Sequence, residues 1–444
     1  MMNSTPLPVT ADDVYPKIGR RIVPLLTLLF VSAWLDRVNI GFAKLQMQHD
    51  LALSNAAFGF GAGIFFIGYL IFEVPSNLLL ERIGARKTMA RITILWGITT
   101  MATMFVKSAL AFYILRFLLG GFEAGLYPGV ILFLTYWFPQ RRRAQMVGFF
   151  MTSVPIAGIL GGPVGGWIMG HMGGVAGHTN WQWLFILEGL PSIMLGIFTL
   201  FYLDDKPEQA RWLTEAEKRA VMTDLQKDVS PVSARKHKFL DAVKTPQIWL
   251  LALIYFCLVS ANPTLGFWSP TIIKGMGVHS DFTIGLLAAL PYTVGVIVTI
   301  LVGRHSDRHL ERRYHCGLAT LAAAAGLVLI GVLASHPVLS FLALILAVAG
   351  VLSAFAPFWQ MPTMILSGSA AAGGIALINS FGNLSGFVGP YLVGWLRDVT
   401  GTTATGLYAV AGFELFCTLL ILSFIPRTRP HNVPQGIREE IVSS

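Results

Sequence analysis

Ser32-Ala33-Trp34-Leu35-Asp36-Arg37-Val38-Asn39-Ile40-Gly41-Phe42-Ala43 sets an acid and a base side by side near the far end of the first long apolar run. A charge inside a membrane span costs roughly 2.5–3.5 kcal/mol on insertion scales. Such groups face a bundle interior, find a partner there, and mark substrate or proton paths. Adjacent residues on an α-helix diverge by about 100°, since a turn takes 3.6 residues. Asp36 and Arg37 therefore cannot neutralise each other face to face, and each needs a partner on another helix. The bland alternative is a static ion pair that locks helices together.

The surrounding chain reads as a polytopic membrane protein. Its 444 residues are 54% hydrophobic and 12% charged, with a mean hydropathy of +0.65. A soluble domain carries about a quarter charged residues. A span takes about 20 apolar residues. Twelve runs qualify: 22–42, 57–79, 88–106, 110–138, 143–170, 182–203, 246–272, 283–303, 315–335, 338–361, 370–396 and 404–425.

The net charge of +9 is a topology signal rather than a sign of nucleic-acid binding. Lys17, Arg20 and Arg21, then Arg82, Arg86, Lys87 and Arg91, then Arg141, Arg142 and Arg143 fall in alternate connections. So do Arg304, Arg308, Arg312 and Arg313, and the tail residues Arg427, Arg429 and Arg438. The intervening loops hold scattered charges such as Lys44, Lys107 and Lys274. Basic loops stay cytoplasmic, so both termini and the central loop are expected there. The expected architecture is all-α: a tail (1–20), a six-helix bundle (21–203), a cytoplasmic linker (204–245), a second six-helix bundle (246–426) and a tail (427–444). In the linker, Glu208 to Leu225 reads as an amphipathic helix with Ala210, Leu213, Ala220, Val221 and Leu225 as apolar points, ended by Ser230-Pro231.

The halves repeat weakly. Asn77-Leu78-Leu79-Leu80-Glu81-Arg82-Ile83-Gly84-Ala85-Arg86-Lys87 follows span 2, and Gly303-Arg304-His305-Ser306-Asp307-Arg308 follows span 8. Internal repeats mark secondary transporters, which bind substrate at the repeat interface. Both segments read as conformational latches, with Glu81 or Asp307 meeting a neighbouring helix N-terminus and Arg82, Gly84, Arg86 and Arg308 shaping the cytoplasmic face. Gly158, Gly162 and Gly166 in span 5 read as a close packing and sliding surface.

Arg116 and Glu123 are seven apart and share a face of span 4. Depth counting puts Arg116 level with Asp36-Arg37, about 9 Å from the outer edge, so four ionisable groups can meet in one cavity. The Arg fork matches a carboxylate with two hydrogen bonds. A buried acid beside an Arg can exchange a proton and so free or occupy that Arg. Arg37 and Arg116 are the candidate anion groups, Asp36 and Glu123 the candidate proton groups. The second half offers polar and aromatic residues instead: Tyr292, Trp359, Gln360, Asn379 and Asn383. Hydroxyl-rich ligands need such donors and acceptors. Tyr69 is a cavity candidate, Asn262 reads equally as a substrate contact or as packing, Trp268 is a packing candidate, Glu73 reads as structural, and Glu188 and Glu414 are expected to bond locally.

Other functions find no footing. Cys257, Cys316 and Cys417 lie in three different spans without metal-site spacing, so no metal or cofactor is expected. No nucleophile–base set or phosphate-binding Gly loop points to an enzyme. The histidines His49, His171, His178, His305, His309 and His315 fall in loops, away from any proton path.

Several stretches together resemble the major facilitator superfamily, and within it the anion:cation symporter family. They are Leu35-Asp36-Arg37-Val38-Asn39-Ile40-Gly41, Val74-Pro75-Ser76-Asn77 with Glu81-Arg82-Ile83-Gly84-Ala85-Arg86, and Arg116-Phe117-Leu118-Leu119-Gly120 with Glu123-Ala124-Gly125 and Pro128-Gly129. Trp183-Leu184-Phe185-Ile186-Leu187-Glu188-Gly189, Phe267-Trp268-Ser269-Pro270 and Asn379-Ser380-Phe381-Gly382-Asn383 complete the pattern. It looks most like the bacterial tartrate transporters. The resemblance implies alternating access by two six-helix bundles, proton-coupled uptake of a small organic carboxylate, a monomer, and the bacterial inner membrane. It supports the four charged assignments and points to Asn383 as a substrate contact. An aromatic-carboxylate symporter (phthalate- or 4-hydroxyphenylacetate-like) and an organic-anion exchanger are the alternatives. Glu81 and Asn77 depart from the family's usual Asp and Gly.

Overall fold

The computed structural model describes residues 10–227, 244–365 and 369–426. Ser230-Pro231 and the tail residues Arg427, Arg429 and Arg438 lie outside the described residues. Among the described residues fifteen α-helices run in order: α1 (Ala11–Asp50), α2 (Asn55–Ile83), α3 (Ala85–Ala102), α4 (Ala109–Glu123), α5 (Leu126–Trp137), α6 (Gln140–Met151), α7 (Ser153–His171), α8 (Asn180–Tyr202), α9 (Glu215–Lys227), α10 (Pro246–Gly275), α11 (Asp281–His309), α12 (Arg313–Val332), α13 (Pro337–Ile365), α14 (Ser369–Thr400) and α15 (Thr403–Phe424). No strand occurs among the described residues. Short hydroxylated residues begin several of them: Ser54, Ser108 and Ser280 accept from Ala57 N, Ala111 N and Thr283 N at 3.0–3.3 Å. That satisfies an N–H the first helical turn leaves free.

Ten helical stretches among the described residues are long and apolar enough to cross a membrane. α3, with Arg86, Lys87 and Arg91 near its start, and α14 occupy the other two of the twelve expected positions. Spans 4 and 5 are each two helices rather than one. Proline cannot donate to the carbonyl four residues back. Pro128 and Pro155 thus forfeit bonds to Ala124 and Met151, and the helix breaks fall beside those residues.

Three expectations are corrected. α1 runs eight residues beyond the expected end at 42, so Lys44 is a helical residue only 2% exposed, not a loop charge. Asp36 accordingly lies about 21 Å along the helix from Asp50, deeper than the expected depth of about 9 Å. The linker helix is shorter than Glu208 to Leu225: Ala210 and Leu213 are buried in a lead-in after a 3-10 turn, and the helix starts at Glu215.

α3 packs on α8, α2 on α4, and α1 on α7 and α8; in the second half α12 packs on α13 and α15, and α11 on α13. The halves meet along α2–α14, α7–α11 and α1–α10. Among the described residues, hydrogen bonds cross this seam where α1 ends and α2 begins, here called the far end. Gln46 Nε2 donates to Asp281 at 3.1 Å. Asn55 N, Asn55 Nδ2 and Ala56 N donate to Asp398 at 3.1, 2.8 and 2.7 Å. At the opposite, terminal end, no hydrogen bond crosses the seam among the described residues. α9 there docks on the first half, through Lys17–Glu217 (2.9 Å), Arg141–Asp224 (2.9 Å) and Tyr15 OH donating to Asp224 (2.9 Å).

Candidate functional site

Arg37 and Asp36 do part company, as helix geometry demands. Arg37 turns to α4. Its Nη2 is 2.5 Å and its Nε 2.7 Å from Glu123 Oε1. The Arg37 side chain is 15% exposed and that of Glu123 1%. The fork meets a single oxygen, and Glu123 Oε2 has no hydrogen-bond partner among the described residues. The rings of Trp34, Phe65 and Tyr69 stand 5.1–5.2 Å from the guanidinium carbon. Breaking a buried ion pair costs about 3–5 kcal/mol when a charge is left uncompensated. A second anion, or a proton on Glu123, removes that penalty.

Asp36 turns to α3. Thr100 Oγ1 donates to its Oδ2 at 3.2 Å, with the Trp96 indole beside it. Arg116 is 2% exposed and bonds neither acid; its Nη2 donates to the Ala62 carbonyl at 3.3 Å. Its guanidinium lies 5.2 Å from the Phe65 ring, which also faces Arg37. Of the four charged candidates, only Arg37 and Glu123 are in contact.

Among the described residues no hydrogen bond ties Tyr292, Asn379 or Asn383 to Arg37 or Glu123. Asn379 and Asn383 are half-buried on α14, and Gln360 is exposed on α13. The Tyr292 ring packs at Gly158 of α7, across the seam. Trp359 meets Tyr255 edge-on at 4.8 Å. Tyr69 is 7% exposed beside Arg37.

The first latch segment sits differently from expectation. The carboxylate at the α3 N-terminus belongs to Asp205, which accepts from Arg86 N at 2.8 Å; Glu81 and Arg82 are exposed. Gly84, at φ +90°, gives the tight turn that brings Arg86 there. In the second repeat Asp307 pairs at 2.6 Å with Arg312, the residue just before α12, so this acid does meet a neighbouring helix N-terminus, and Arg308 is exposed.

Other polar contacts escaped the sequence reading. Asn39, three residues after Asp36 and so on a shared side of α1, donates to Glu188 of α8. Ser32 and Ser192 join the same helices at 2.6 Å. Glu188 is thus tied to another helix rather than locally. Glu414 is fully buried, and neither carboxyl oxygen has a hydrogen-bond partner among the described residues, against the expected local bond. Helix spacing alone could have flagged Asn39; nothing in the sequence places Thr100 or Trp96.

A family model for the Major Facilitator Superfamily matches residues 25–390. A protein of Agrobacterium vitis named as a candidate tartrate transporter is 46% identical over 420 residues, which span 95% of this chain and 93% of that protein. A quinolone resistance transporter of Acinetobacter baumannii is 42% identical over 414 residues, 93% of this chain and 94% of that one. The xylose transporter XylE from E. coli, in an inward open conformation, superposes with a TM-score of 0.75 at 14% identity over 93% of this chain and 97% of its own. At that identity the likeness concerns the fold alone.

Proposed function

Because this chain belongs to the major facilitator superfamily of membrane transporters, and so is a carrier rather than an enzyme, we propose that it takes up a small organic anion together with protons. The two halves would alternate a central site between the far end and the terminal end. The Arg37–Glu123 pair carries this reading. While Glu123 is ionised it holds Arg37. A proton on Glu123 releases the Arg37 fork to a substrate carboxylate, and loss of that proton expels the anion. Asp36, one residue away on another face, is the second proton group, and Arg116 the second anion group.

Asn383, Asn379, Gln360, Tyr292, Trp359 and Tyr69 are assigned to the remaining substrate surface. Glu81, Arg82, Gly84, Arg86, Asp307 and Arg308 are assigned to gating in the opposite state. The 21–203 and 246–426 segments act as the moving bodies, with the termini cytoplasmic in a bacterial inner membrane and the chain a monomer. Tartrate or a related hydroxy acid is the substrate favoured by the Agrobacterium vitis relative's name. The three rings around Arg37 favour an aromatic carboxylate as the second reading.

The test is uptake of a panel of hydroxy, sugar and aromatic acids into proteoliposomes, with and without an inward proton gradient, for wild type and Glu123→Gln. Gradient-driven accumulation is expected for the wild type and lost in the variant. Accumulation by Glu123→Gln at the wild-type level makes the pair structural and sinks the reading. Uptake that needs internal substrate and ignores the gradient identifies an exchanger.

A further inference from the structure

Lys44 stands two turns beyond Arg37 on the same face of α1, about 10 Å along the helix. It is 2% exposed, and its Nζ has no hydrogen-bond partner among the described residues. The ammonium rests 3.2 Å from the ring centre of Trp268 on α10, with Phe58 of α2 at 5.6 Å. The Arg397 guanidinium of α14 lies over the same indole at 5.8 Å. One cation of each half therefore shares a single ring. The carboxylate next to Arg397 in sequence is committed elsewhere, since Asp398 holds the start of α2. A ring face attracts a cation, but a carboxylate binds it more strongly and supplies the hydrogen bonds an ammonium lacks here. The cluster sits on the closed seam. A Cβ at Gly41, one turn before Lys44, would lie 2.8 Å from the Phe267 carbonyl. Any motion that opens the far end separates α1 from α10 and uncovers Lys44.

We propose that Lys44 and Arg397, flanking Trp268, form a second, outer carboxylate site that receives the anion when the far end opens and passes it inward to Arg37. With the far end closed, the Trp268 ring stands where the carboxylate would be. With it open, the ring withdraws with α10 and both cations face the arriving anion. This site rests on the reading of the chain as an organic-anion carrier.

The experiment compares tartrate transport from the far-end side and from the terminal-end side, in proteoliposomes of known orientation. The proteins are wild type, Lys44→Gln, Lys44→Arg and Arg397→Gln. Lys44→Gln is expected to raise the KM from the far-end side roughly tenfold while the terminal-end KM stays put. Lys44→Arg should restore it, and Arg397→Gln should shift it the same way. If Lys44 only locks the seam, its loss unseals the far end and lowers the far-end KM. That result, or an equal change on both sides, overturns the outer site. If Lys44→Gln does not yield folded protein, Arg397→Gln decides by the same criteria. A wild type that moves none of the panel acids overturns the carrier reading and the outer site with it. Normal wild-type transport with a lowered or symmetric KM overturns the outer site alone.

Discussion

At the residue scale, the chemistry turns on which nitrogen atoms reach which oxygen. Arg37 sets Nε and Nη2 on one oxygen of Glu123, an arrangement only a planar fork can make. Lysine keeps the charge and loses the fork. Arg37→Lys is therefore expected to raise the carboxylate KM roughly tenfold while the protein still inserts and folds. Uptake kinetics in proteoliposomes check it, and an unchanged KM would remove Arg37 from the anion site. The sequence already demanded separate partners for Asp36 and Arg37. It also singled out Glu123, on shared-face spacing with Arg116. It could not name Thr100 or Trp96, because hydroxyls and indoles within spans carry no pattern that distinguishes a partner from packing.

At the element scale, the seam depends on helices that touch backbone to backbone. Where α7 crosses α11, a Cβ on Gly162 would collide with the Gly285 carbonyl. Overpacking of this kind costs about 1–3 kcal/mol. On a two-state carrier that moves the population by roughly 5- to 150-fold. Gly162→Leu is thus expected to hold the far end open and slow uptake. A cysteine placed at Gln46, whose side chain bridges to Asp281 across the seam, should then become more reactive toward an impermeant maleimide. Unchanged labelling with normal uptake would count against the seam as the moving surface. The Gly158, Gly162 and Gly166 spacing announced a close contact in the sequence; that α11 is the helix it meets did not follow from the spacing.

At the scale of the whole molecule, the two halves are tied at the far end, while α9 clamps the terminal end of the first half. Asp224 anchors that clamp. Burial pushes its carboxyl up, but hydrogen bonds from Arg141 and Tyr15 outweigh burial and hold it below the ordinary 3.8. A carboxyl lowered on folding adds stability that is complete above its unfolded value and drains away as pH falls through the folded one. Asp224→Asn is therefore expected to weaken α9 docking by about 1–3 kcal/mol at neutral pH. The difference from wild type should vanish at pH values below the folded one. Protease sensitivity of the linker across pH measures it. A gap that persists in acid would assign the effect to packing instead.

The sequence by itself determined the class, the number of long apolar runs, the alternation of basic loops, and the charged residues on which the site is built. These follow from local physics: the length of a hydrocarbon span, the cost of a charge within it, and the turn of a helix. Only the tertiary structure decided that Arg37 takes Glu123 while Asp36 takes Thr100, that Lys44 is buried against Trp268, and that Asp205 rather than Glu81 holds the start of α3. Pairing between helices depends on their tilt and rotation, which are set by packing across the bundle. No periodicity along one strip of chain contains that information.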